Sequence, residues 1–161
     1  MSPTVGFLAN QFLAQRRLAV VGVSRDPRDF SRQLLRELVK RHYDAVPVHP
    51  WLDQVEGLRC YDRVQDIRPP VDGALLLTPP PVTAQVVRDC AAAGVPRVWM
   101  HRGAGRGAVS PEGAAFCREH GIDVVEGACP WMFLPDAGAG HRLHALLARL
   151  LGRHPAQRRA A

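Results

Sequence analysis

Long apolar runs are missing from this chain. Even the longest, such as ALLL at 74–77, fall far short of the roughly 20 residues that a transmembrane helix requires, so no helical membrane span is expected. A secretory leader is not expected either, because residues 1–12 include Asn10 and Gln11 and lack a basic start with a small-residue cleavage site. The four cysteines, Cys60, Cys90, Cys117 and Cys129, form no CxxC pair and sit mostly in stretches that read as helix or strand. Such scattered thiols fit a reducing compartment, and the expectation is a cytoplasmic protein. Lysine is almost absent, Lys40 being the only one, so a Tyr-Lys catalytic pair is not in evidence.

What remains is the composition of an ordinary globular domain. Apolar residues make up 47% and charged residues 22%, which excludes a disordered chain, and 161 residues suit one domain better than two. The expected organisation is a single domain over 1–152 followed by a basic tail, RHPAQRRAA, at 153–161. That tail supplies three arginines and about half of the formal excess of +6, so the charge does not by itself call for nucleic acid.

Apolar periodicity alternates between strand and helix along the chain. Ser2-Pro3 opens a short leading helix, and LAVVGV at 18–23 is a buried strand followed by a helix faced by Leu34, Leu35, Leu38 and Val39. AVPVHP at 45–50 is a second strand, with Pro47 limiting its ladder, and an irregular stretch runs from Trp51 to Val71. GALLLT at 73–78 is a third strand, ended by Pro79-Pro80-Pro81 and followed by a helix that Gly94 closes. PRVWM at 96–100 is the fourth strand, Ser110-Pro111 opens a helix closed by Gly121, and IDVVEG is the fifth strand. Leu143, Leu146, Leu147, Leu150 and Leu151 give a last amphipathic helix, a surface on which a homodimer could form.

This alternation predicts an α/β fold: a Rossmann-like parallel five-stranded sheet with helices on both faces, a three-layer sandwich. The predicted strand order is 3-2-1-4-5, which puts a ligand where the order reverses, at the carboxyl ends of strands one and four.

The strand-to-helix turn GVSRDP at 22–27 carries the chemistry. A glycine there lets backbone approach a ligand, while a helix start offers amide donors and the positive end of a dipole to phosphate. The dinucleotide pattern is broken, since Ser24 and Pro27 stand where a second and third glycine belong. Strand two also ends in Val48-His49-Pro50, without the acid that would hold an NAD ribose. Arg25, Arg28 and Arg32 crowd the turn and suit a ligand with an additional phosphate. Two readings follow from the residues alone: a binder of a phosphate-rich nucleotide, or an NADP-linked oxidoreductase.

Taken together, GVSRDP at 22–27, Ser31, VPVHP at 46–50, VWM at 98–100 and Cys129-Pro130 resemble the small CoA-binding proteins of the succinyl-CoA synthetase α-subunit type, over roughly residues 16–130. The resemblance implies a stand-alone module that binds coenzyme A or acyl-CoA and is not itself a ligase. It further implies that Gly22, Val23 and Ser24 make backbone or hydroxyl contacts to phosphate, with Arg25 as charge partner, Ser31 as a capping or phosphate-binding hydroxyl, His49-Pro50 and Thr78-Pro79 beside the adenosine, and Met100 on the channel. His49 stands where that family usually has asparagine.

Other residues admit a plainer role. Trp51 is a stacking candidate for adenine, whereas Trp99 belongs to the core. Cys129 is a structural cysteine before it is a nucleophile, and His141 and His144, three apart, are not counted as a metal site. The expected partner is a small nucleotide ligand; neither nucleic acid nor membrane is expected.

Overall fold

In a computed structural model, which describes residues 3–103 and 105–135, five parallel strands form a sheet between two helical layers. The sheet strands are β1 (Arg17–Val21), β2 (Asp44–Val48), β5 (Gly73–Leu76), β6 (Arg97–His101) and β7 (Asp123–Ala128). Between β2 and β5 the chain inserts a small antiparallel hairpin, β3 (Gln54–Val55) and β4 (Leu58–Arg59), and a 3-10 turn at Val64–Asp66.

Side-chain alternation sorts the sheet onto two cores. Leu18, Val20, Leu75 and Trp99 face helices α1 (Val5–Leu13) and α2 (Phe30–Lys40), packing on Phe12, Leu34, Leu35 and Leu38. Ala19, Val21, Leu76, Val98 and Met100 face the layer of α3 (Pro80–Ala92) and α4 (Pro111–Glu119), packing on Val87, Cys90 and Cys117. Trp99 is completely buried, edge-on to Phe12 and Phe133, and its indole N–H donates to the Ala128 carbonyl at 2.8 Å.

The three-layer Rossmann-like sandwich matches the sequence reading, but the strand order does not. Counting only the five sheet strands, the order is 2-1-3-4-5, that is β2-β1-β5-β6-β7, in place of 3-2-1-4-5. Strand three lies against strand one, pairing Leu18–Val21 with Gly73–Leu76, and strand two is the edge. The reason is Pro47. Its carbonyl accepts the Tyr61 N–H on the outer side of β2, so its missing N–H falls on the side where no further strand has to pair. A proline in a central strand would have cost a ladder hydrogen bond. The point where the order reverses is therefore between β1 and β5, not between strands one and four.

Smaller differences have local causes. The first helix is capped by Thr4, whose hydroxyl accepts from the Phe7 N–H at 3.2 Å, two residues later than the Ser2-Pro3 signal. Gly94 and Gly121 follow the ends of α3 and α4 with φ of +71° and +67°, as read from the sequence. The leucine helix at 143–151, His141, His144 and the tail at 153–161 lie outside the described residues. Among the described residues, no helix is long and apolar enough to cross a membrane.

Candidate functional site

Three loops meet at the carboxyl end of β1 and its two neighbours. Gly22 lies directly after β1, with φ of +90°, and donates its N–H to the Val48 carbonyl at 3.1 Å. A β-carbon at this position would stand 3.0 Å from the Thr78 methyl and 3.1 Å from the Leu77 carbonyl carbon. Glycine is thus demanded twice over, by its left-handed backbone and by the loop after β5 pressing against it. Its amide is occupied by Val48 and is not free for phosphate, which corrects the role expected of it.

Gly22, Pro50 and Thr78 line one cavity of about 100 Å³ between the three loops and α3, so the structure brings these sequence-chosen positions together. Val21, Val48, Val64, Val82 and Val86 make most of its remaining wall, with Asp62, Arg63 and Asp89 at its margin. The floor is rigid. Thr83 is fully buried and its hydroxyl lies 2.7 Å from that of Thr78, tying the start of α3 to the loop after β5. Since α3 opens with Pro80-Pro81 after the N-cap Pro79, it presents no free amide donors to an anion in its first residues.

The charged side of the crevice is the loop between Gly22 and α2. Here the expectation of an open helix start is wrong: Asp29 caps α2, its carboxylate accepting the Ser31 N–H at 2.8 Å and the Ser31 hydroxyl at 2.5 Å. An anionic cap occupies the place that a ligand phosphate would take at the helix dipole. Ser31 is buried and used internally, its Oγ accepting the Ser24 N–H at 2.8 Å. Ser24 Oγ in turn accepts the Asp26 N–H at 3.1 Å. Val23 is buried as well, and its amide and that of Arg25 are the loop donors left without a partner among the described residues.

The arginines divide. Arg32 is engaged, its Nε and Nη2 on Glu56 Oε1 at 2.8 and 2.7 Å and its Nη1 on the Ser24 carbonyl at 3.1 Å. Arg25 is exposed to the crevice side, its guanidinium 5.8 Å from the ring centre of Trp51. Trp51 is 74% exposed and meets His49 edge-on at 5.7 Å. The Trp51 N–H donates to His49 Nδ1 at 3.2 Å, which leaves Nε2 to carry the ring proton. Partial burial, reinforced by the Arg25 charge, pulls the His49 pKa below its ordinary value, so His49 is a neutral group and not the added positive charge that the sequence allowed.

Met100 does not join this cleft. It is fully buried in the core beneath α4, where a β-carbon on Gly113 would come within 3.2 Å of its methyl group. Cys129 is buried after β7, and burial raises its thiol pKa. Sequence reasoning missed Glu56, the hairpin residue that holds Arg32 and, at 2.8 Å, Arg36. It also missed that α3 walls the cavity through Val82, Val86 and Asp89.

A doubly covered parallel sheet with a glycine turn, an apolar pocket and a basic loop at its switch point defines a Rossmann-like nucleotide-binding domain. Residues 16–135 match the CoA binding domain family, and the chain belongs to that family. It is 31% identical over 127 residues to a trans-feruloyl-CoA synthase from an unknown prokaryotic organism, covering 73% of this chain and 18% of that protein. It is 29% identical over 107 residues to the α subunit of the ADP-forming acetate–CoA ligase II of Pyrococcus furiosus, covering 66% of this chain and 23% of that one. The chain thus corresponds to less than a quarter of either curated relative. Among solved structures, a conserved hypothetical protein from Pyrococcus furiosus superposes with a TM-score of 0.61 at 31% identity, over 68% of this chain and 90% of that one.

Proposed function

We propose that this domain binds coenzyme A or an acyl-CoA as a non-catalytic module. The observation that carries the reading is the pairing of an apolar pocket at the β1/β5 switch point with a basic, exposed loop beside it. A pocket of this size and mostly apolar wall takes a flat base-sized group, and the prolines that open α3 offer no amides to a phosphate there. Diphosphate and sugar phosphate then fall on the side of Arg25, where the amides of Val23 and Arg25, without partners among the described residues, and the Arg25 guanidinium are donors. Val23, Ser24, Arg25, His49, Pro50, Thr78 and Pro79 are the contact residues in this reading, with Gly22 shaping the turn.

The non-catalytic part rests on the side chains near the crevice. All four cysteines are free and buried, and His49 is neutral with one ring nitrogen already bonded. Free buried thiols also support a reducing, cytoplasmic setting.

Native mass spectrometry and calorimetric titration with CoA, acetyl-CoA, NADP and NAD test the proposal. Binding of CoA in preference to both dinucleotides is expected, and the same spectra count the copies, for which a homodimer is our reading. Binding of NADP alone would replace it with the oxidoreductase reading.

A further inference from the structure

Arg32 reads from sequence as a phosphate ligand, yet its donors point elsewhere. Its side chain is only 14% exposed and its partner Glu56 21%. Glu56 and Gly57 form the tip of the β3–β4 hairpin, with φ of +52° and +75°. A left-handed backbone is unfavourable for glutamate, and the hairpin would turn as well on Asn-Gly. What glutamate supplies there is a single carboxylate oxygen that receives both Arg32 and Arg36.

These two arginines in turn hold the underside of the loop. Arg32 Nη1 donates to the carbonyls of Ser24 at 3.1 Å and Arg25 at 3.4 Å, and Arg36 donates through Nη1 and Nη2 to that of Pro27 at 3.2 and 3.1 Å. In a trans peptide the carbonyl and the following N–H point in opposite directions. Pulling the Ser24 carbonyl down onto Arg32 therefore turns the Arg25 N–H away from Arg32, with no partner among the described residues. The neighbouring amides are spent, Ser24 on Ser31 and Asp26 on Ser24.

We propose that Glu56 and Arg32 are a positioning pair that aims the Arg25 amide at a ligand phosphate, the guanidinium of Arg32 itself making no phosphate contact. This rests on the CoA-binding reading above. The two possible roles of Arg32 give opposite results in one experiment. If Glu56 restrained a phosphate-binding arginine, neutralising it would release that arginine and tighten binding. If the pair aims the loop, neutralising Glu56 loosens the loop and weakens binding.

The test is calorimetric titration of CoA into the full chain as wild type, Glu56→Gln and Arg32→Lys, with the Arg25 amide followed by ¹H–¹⁵N NMR. Both variants are expected to bind about tenfold more weakly, the Arg25 resonance moving in the unliganded variants and losing its CoA-induced shift. A lysine keeps the charge but cannot bridge Glu56 and the Ser24 carbonyl together, so it serves as the second variant if Glu56→Gln does not fold. Unchanged or tighter CoA binding by a folded variant, or an Arg25 amide indifferent to CoA in the wild type, overturns the pair. Absence of CoA binding by the wild type overturns the ligand reading and the pair with it.

Discussion

Gly22 and Val48 are joined by a 3.1 Å hydrogen bond that carries the β1–β2 ladder one residue past the end of β1, into the turn itself. The turn is thereby part of the sheet rather than a loose connection. Its geometry is fixed before any ligand arrives.

Gly22→Ala is expected to cost stability even without ligand. The new methyl would meet Thr78 and Leu77 at 3.0 to 3.2 Å while the backbone stays at φ of +90°. A loss of about 1–3 kcal/mol is expected from denaturant unfolding. A variant as stable as wild type would show that the loop after β5 can yield.

Trp51 is expected to report ligand. Its exposed ring lies beside the pocket residue Pro50 and under the Arg25 guanidinium, so occupancy of the crevice should change its emission. CoA should alter the fluorescence of the wild type, and Trp51→Ala should abolish most of the change and weaken binding about three- to tenfold. An unaltered response in that variant would place the base elsewhere.

His101 makes stability depend on mild acid. It stacks on Phe30 with ring centres 4.8 Å apart, and its Nε2 is buried without a hydrogen-bond partner among the described residues. Burial lowers its pKa in the folded chain from 6.5 to about 4. Between those values the unfolded chain binds the additional proton, so stability falls as pH drops through this window and is recovered above it. The contribution is about 1–3 kcal/mol. His101→Phe should flatten that part of a plot of unfolding free energy against pH, and an identical slope in the variant would refute the assignment.

The thiols are expected to be silent in the native protein. Burial raises the pKa of Cys60, Cys90 and Cys129 and brings that of Cys117 up to about 11. A thiol reagent at neutral pH should label none of the four until denaturant is added. Rapid native labelling of Cys129 would reopen its case as a nucleophile.

Local signals in the sequence carried the elements and the faces they bury. Gly94, Gly121 and Ser110 mark helix ends because caps are chemistry between near neighbours. The β-branched run after Arg17 marks β1 for the same reason; of the pocket positions, Gly22 stood out as the strand-to-helix turn, while Pro50 and Thr78 came from the family resemblance at the ends of the second and third predicted strands. Order within the sheet is a tertiary property, yet Pro47 already held the answer, since only an edge tolerates it beside β1. Asp29 shows the limit of motif logic: an acid before a helix is both a cap and a competitor of phosphate, and the motif alone does not decide. Arg32 and Glu56 stand 24 residues apart with the rest of α2 and all of β2 between them, and no local period links them. Met100 shares its alternation with Val98, which identifies a face of the sheet but not which face meets the crevice.

Tyr61 bridges to Val48 and bonds Pro47 and His49 along the outside of β2. An open margin of this kind ordinarily recruits foreign strands and seeds aggregation. With a proline in the strand and a tyrosine backbone laid over its tip, that route is blocked near the ligand crevice. A foreign strand therefore cannot add to β2 at the end where the crevice opens.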